Sequence, residues 1–223
     1  MDYRFAGVSL FGMLMAVAIS VAFAELAGYG LHRLMHSERF PAISRAHMIH
    51  HLHLYGPNQA MRAPQYRSAT VGRSSLGNIG MEWVIPSALI LTLCWFLMKV
   101  IGVGWRYQIV AMTTLLGWPV FMFSYLHDRM HLEDFWMERV PLLSIWFKKA
   151  RRLHDVHHRS LNDEGRMNRN FGIGFFFFDR VFGTLAKRHR PLNWHGYRAA
   201  MRRHRRHSPP EEEISSFPSG YRV

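Results

Sequence analysis

Ten of the 15 histidines fall in four short clusters. His32 and His36 form an H-x3-H pair, and His47, His50 and His51 form an H-x2-H-H triplet. His127 with His131 repeats the first pattern, and His154, His157 and His158 repeat the second. On a helix, positions i, i+3 and i+4 lie on one face, so each cluster aims its imidazoles at one spot. Two or three convergent imidazoles make part of a metal site, and ten could supply two metal ions. Structural zinc takes four ligands, commonly including cysteine. The one cysteine, Cys94, lies in an apolar run far from any cluster. Imidazole also suits iron, copper and nickel. Five nitrogens per ion leave room for a further ligand, as oxygen chemistry requires. His53 points off its cluster's face, and His189, His195, His204 and His207 read as ordinary surface or core histidines.

The elements that must position these clusters are apolar. Hydrophobic residues make up 49% of the 223 positions, and they are segregated. Residues 7–31 form a near-continuous apolar run whose one charge is Glu25; 83–103 form a second and 107–126 a third. Each approaches the roughly 20 residues of a membrane-spanning helix. The first run lacks a basic leader and a small-residue cleavage site, so it reads as an anchor and not a signal peptide. His32 follows the first run and His127 the third, so the chain predicts an all-α, three-span membrane protein with all ten imidazoles gathered at one face. Of the 28 lysines and arginines, six fall between residues 32 and 82 and 19 after residue 127. That bias predicts a cytoplasmic histidine face. Residues 133–150 mix Trp136, Leu142, Ile145 and Trp146 with Lys148 and Lys149, the pattern of an interfacial helix bent or begun near Pro141.

The four clusters, followed by Asn170-Phe171-Gly172 and by the stretch FDRVFGT from Phe178 to Thr184, resemble the fatty acid hydroxylase/sterol desaturase superfamily. The resemblance covers roughly residues 20–185. The stretches ELAGYGLHRLMHS and LHDRMH are also similar to bacterial carotenoid hydroxylases, which favour four residues between the paired histidines where this chain has three. The resemblance implies a membrane di-iron centre that activates O2 with external electrons and attacks an unactivated C–H bond of a lipid, giving an alcohol or an alkene. The ligand set it implies is His32, His36, His47, His50, His51, His127, His131, His154, His157 and His158, with no separate catalytic residue. The lipid could be a fatty acyl chain, a sterol or other terpenoid, or a carotenoid. No attached cytochrome b5-like or reductase domain is recognisable, so a separate ferredoxin- or cytochrome-type donor is expected. The alternative is a non-enzymatic membrane protein that binds or transports metal.

Three supporting roles complete the expectation. Glu25 lies seven residues before His32 on the same helix face, and an ionisable group inside a span needs a partner; it is expected to support His32, the alternative being a purely structural partner such as an arginine. Asn170 is the other expected supporting residue. Asp179 is expected to pair with Arg180 and hold the C-terminal segment. The aromatic run at 175–178 reads as structural packing, with the lining of a substrate channel or a segment dipping into lipid as the alternatives. Residues 1–190 read as one domain and 191–223 as a basic, then acidic, disordered tail. The net charge of +13 fits an anionic lipid surface. Its basic residues flank apolar runs and carry no nucleic-acid reading motif.

Overall fold

The computed structural model describes residues 9–37, 39–56, 61, 81–188 and 190–204. Among these residues the fold is all-helical, with a lone bridge between Leu161 and Met167 and no strand. Helix α1, Leu10–Met35, begins at Ser9, whose side chain caps it by accepting from the Gly12 amide at 3.0 Å. Its 26 residues span about 39 Å, more than a hydrocarbon core. The burial pattern inverts that of a soluble helix. Ser20, Ala24, Glu25, Tyr29 and His32 face inward, while Leu10, Phe11, Leu14 and Ile19 face out. Small and polar groups inside with large apolar groups outside is the arrangement a lipid solvent selects.

Helix α2, Pro41–Ile49, takes Pro41 in its first turn and continues into a π-helical turn, His50–Leu54. Helix α3, Met81–Val100, turns through Gly102, at φ 73°, into α4, Trp105–Pro119. After Pro119 the winding becomes π-helical over Val120–Leu126 and ends in one tight turn, His127–Arg129. Proline donates no amide hydrogen bond, and a wider turn next to it absorbs the interruption. Helix α1 packs most extensively on α4. The two are also tied by the Ser9 amide, which donates to the Tyr107 hydroxyl at 3.1 Å.

Among the described residues two segments, Leu10–Met35 and Trp105–Arg129, are long and apolar enough to cross a membrane. The second expected span falls on α3, whose apolar part from Pro86 to Val100 is shorter. A 3-10 turn at Trp136–Glu138 leads to α5, Pro141–Arg159, which starts at the expected proline. Leu142 and Ile145 on its first turns are exposed, whereas Phe147, Ala150 and Leu153 are buried, so one helix joins an apolar outer face to the fourth histidine cluster. Helix α6, Phe177–Val181, is short. The aromatic run at 175–178 is divided: Phe175 and Phe177 are exposed, whereas Phe176 and Phe178 are half-buried and Phe176 packs on the core cluster that contains Met122.

The expected tail begins too early. Residues Trp194–His204 form α7, whose Ala200 is fully buried against Met48, Leu52, Leu161 and Met167. Gly165 and Gly196 permit that docking: a Cβ on Gly165 would meet the Ala200 backbone, and one on Gly196 would meet the Asn162 carbonyl. The loop that follows α5 and the last described helix therefore touch backbone to backbone. The rest of the expected tail, from residue 205, and most of the expected loop at 54–80 lie outside the described residues.

Candidate metal centre

The structure brings all ten cluster histidines together as two groups of five. One comprises His32, His36, His47, His51 and His157; the other comprises His50, His127, His131, His154 and His158. Within each group the ligand-type nitrogens lie within 4.8 Å of one another. Each H-x2-H-H triplet is divided between the groups. Its first and last histidines, four apart, serve one group, and the middle histidine serves the other. Helical geometry explains the division, because successive residues diverge by about 100° and positions i+3 and i+4 straddle the axis defined by i. His50 and His157 are thus the two crossovers.

The nitrogen spacing is that of a coordination sphere. His47 Nε2 lies 3.0 Å from Nε2 of both His36 and His51, and His36 Nε2 lies 3.1 Å from that of His157. In the second group His154 Nε2 is 3.1 Å from Nε2 of both His131 and His158. An ion bound at about 2.1 Å from each nitrogen sets neighbouring ligands at right angles roughly 3.0 Å apart.

Proton bookkeeping leads to the same conclusion. His32 Nδ1–H donates to the Phe171 carbonyl at 2.6 Å, His157 Nδ1–H to the Arg169 carbonyl at 2.6 Å, and His158 Nδ1–H to the Tyr55 carbonyl at 3.0 Å. A carbonyl only accepts, so in each neutral ring Nδ1 carries the proton and Nε2 presents a lone pair. The lone pair of His157 faces His36, that of His158 faces His154, and the buried Nε2 atoms of His32 and His127 have no protein partner. Among the described residues no partner holds a proton at Nδ1 of His36 or His154, so a cation between the nitrogens could be met by a lone pair from each of these rings. Burial, then the neighbouring imidazoles, holds His36, His47, His50, His51, His154 and His158 well below the usual imidazole range. They are neutral at pH 7, the state a metal requires.

These features fit metal binding, and the whole-chain comparison agrees. The family profile described as fatty acid hydroxylase matches residues 17–184. The chain belongs to the fatty acid hydroxylase family. No curated protein and no solved structure matches it.

In this member of the fatty acid hydroxylase family two of the supporting residues differ from expectation. Glu25 does not pair with His32: its Oε1 accepts from Trp118 Nε1 at 2.7 Å, joining α1 to α4. The group that orients His32 is the carbonyl of Phe171. Glu25→Gln keeps the acceptor for Trp118, so its metal content is expected to equal that of the wild type. A carboxylate orienting a ligand would instead cost about 10–100-fold in metal affinity, which elemental analysis after dialysis against graded chelator would detect.

Asn170 supports the site through the backbone. At φ 54° it takes the left-handed conformation that asparagine tolerates. Its side-chain amide donates to the carbonyls of Leu153 and Ala186 at 2.8 Å each, and its Oδ1 accepts from the Ala186 amide at 2.7 Å. That clamp fixes the residues on either side, whose carbonyls orient His157 and His32. Asp179 does not pair with Arg180, which is exposed. Its carboxylate is fully buried and accepts from the amides of Phe171 and Gly172 and from the Thr184 hydroxyl, each at 2.7 Å. Burial raises its pKa, and the three donors oppose that rise. NFG and FDRVFGT are therefore two halves of one device that presents carbonyls to imidazoles of the first histidine group.

Tyr55 was given no role by its sequence. It supplies the carbonyl for His158 and stacks on the His131 ring at 4.1 Å between centroids. His53 is half-buried and His195 exposed, and both lie outside the two groups. His204, expected to be ordinary, is buried in α7 and likewise lies outside them; His189 and His207 fall outside the described residues.

A cavity of about 180 Å³ lies between α1, α3 and α4. Its walls include Phe23, Leu31, Ile90, Leu91, Leu115 and Phe123, and it reaches His32, His47 and His127. None of the described residues lining it is charged, and its inner end touches both histidine groups.

Proposed function

We propose that this protein is a membrane di-iron oxygenase that hydroxylates or desaturates an unactivated C–H bond of a lipid, using O2 and electrons from a separate donor. The observation that carries this reading is the apolar cavity ending on both five-imidazole groups. Two iron ions held by those groups would supply oxygen activation and hydrogen abstraction. The chain's own residues do the rest. Arg169, Phe171 and Tyr55 orient three imidazoles through their carbonyls, and the cavity walls hold hydrocarbon against the centre while keeping water out. Five nitrogens per group exceed the four that structural zinc takes.

The basic residues place the histidine face in the cytoplasm on this reading, and three spans put the N-terminus outside. Residues at the start of α5 rest in the interface, with Leu142 and Ile145 toward lipid and Lys148 and Lys149 toward headgroups. A ferredoxin- or cytochrome-type donor, commonly acidic, docks on the basic cytoplasmic face. Metal transport would place ligands near the middle of the spans; here they gather at one end.

The deciding experiment is metal analysis with Mössbauer spectroscopy on detergent-purified protein expressed with enriched iron, together with oxygen uptake under a chemical reductant. Two exchange-coupled irons per chain and reductant-dependent uptake are the expected result. Zinc in both groups after anaerobic iron loading would overturn the reading.

A further inference from the structure

Two matched pairs of residues define the inner end of the apolar cavity. On α1, Gly28 precedes His32 by one turn; on the π-helical end of α4, Phe123 precedes His127 by the same four residues. The rings of His32 and His127 lie 6.3 Å apart between centroids, at the floor of the cavity. One turn deeper in the bundle, the Phe123 ring rests directly on the Gly28 backbone. A Cβ at Gly28 would overlap three of its ring atoms. Both residues line the cavity. Phe123 also packs on the core cluster that contains Met122 and Leu126, which limits where its ring can go. Among the described residues, this ring stands in the cavity wall one turn from the histidines, beside the space through which a lipid would reach them.

The lining adds a second constraint. Among the described residues it carries no charge, and its polar side chains besides the histidines reduce to Ser87. A carboxylate or phosphate drawn inside would lose its hydration without a partner, which is strongly unfavourable. A lipid therefore enters with its hydrocarbon end first and leaves its polar head outside. A flexible chain can bend around one fixed aromatic ring, whereas a rigid fused ring system cannot.

We propose that Phe123, seated on Gly28, is the specificity-determining residue of this lipid site, and that the cavity admits an unbranched hydrocarbon chain and rejects a fused-ring lipid. The proposal rests on the lipid-oxygenase reading for what happens to the chain, but occupancy of the cavity can be read without turnover.

The test uses the full-length, metal-loaded protein in phosphatidylcholine nanodiscs with no electron donor. The probes are palmitic acid bearing a diazirine at its terminal carbon and a diazirine analogue of cholesterol. After illumination, labelled peptides are mapped by mass spectrometry. The palmitate probe is expected to label cavity residues such as Leu31, Leu91 and Leu115, in competition with unlabelled palmitate, while the sterol probe leaves them unlabelled. Phe123→Trp is expected to cut cavity labelling by roughly tenfold or more, and Phe123→Ala to admit the sterol probe. Metal content on the same samples serves as the folding control. Where Phe123→Trp fails that control, Gly28→Ala, which displaces the same ring by one methyl group, supplies the narrowing arm. Equal labelling of the wild type and the narrowed variant, or sterol labelling of the wild-type cavity, overturns the proposal. Labelling as expected without reductant-dependent oxygen uptake would remove the oxygenase reading and leave this one standing. Uptake with labelling indifferent to Phe123 would do the reverse.

Discussion

Replacing His157 with alanine is expected to strip metal from the group it shares with His36 and to abolish oxygen uptake, while α5 stays folded. His157 is fully buried, its Nε2 lies 3.1 Å from that of His36, and its Nδ1 is fixed by the Arg169 carbonyl. Truncation removes a nitrogen ligand and leaves the carbonyl without its donor. The loss in affinity should exceed the roughly 10–100-fold that removal of an outer partner costs. His158→Ala makes the informative companion. It is the next residue on the same helix, yet it belongs to the other group, so it should deplete the other ion first. Iron counted per chain, with Mössbauer spectra of each variant, separates the two losses. Identical spectra from both variants would contradict the division of the triplets. His195→Ala, exposed and remote from both groups, should retain both ions.

Asp179→Ala is expected to produce the second largest effect, although the residue belongs to neither histidine group. Its carboxylate satisfies two buried amides and a hydroxyl. Leaving those donors unpaired costs on the order of 1–3 kcal/mol each, and about 3–5 kcal/mol in all once the Thr184 hydroxyl has turned to another acceptor. The loop it releases carries the Phe171 carbonyl, so His32 loses its orientation as well. A lowered melting temperature together with weaker metal retention is the expected result. Asp179→Asn keeps one acceptor oxygen and should fall between the wild type and alanine. A destabilised Asp179→Ala protein that holds metal as tightly as the wild type would show that the loop does not orient the imidazoles.

The ten clustered histidines are legible because imidazole at i, i+3 and i+4 leaves a side-chain pattern. The same pattern says nothing of which group each ring joins, since that depends on how α2 and α5 rotate against each other. The partners of the imidazoles were invisible for a different reason. They are main-chain carbonyls of Tyr55, Arg169 and Phe171, and a carbonyl is the same on every residue. Glu25 was rightly marked as a charge needing company inside an apolar helix, but its partner, Trp118, lies 93 positions away. Asp179 was rightly singled out as a holding residue and wrongly matched with its neighbour, because adjacent helical side chains diverge. Helix α7 was hidden by its arginines. Leu192, Tyr197, Ala200 and Met201 form an apolar face that a count of charges overlooks.

The crossing of the triplets also bears on how the protein is made. Synthesis releases His51 a full 106 residues before His157 (157 − 51). When the first two clusters emerge, the first group can assemble at most four of its five rings, and the second holds only His50. Neither group of five is complete until α4 has entered the bundle and α5 has folded onto it. On the two-ion reading, loading with metal would therefore be a late event in the life of the nascent chain, and a ribosome stalled before His154 would leave a fragment with both groups incomplete.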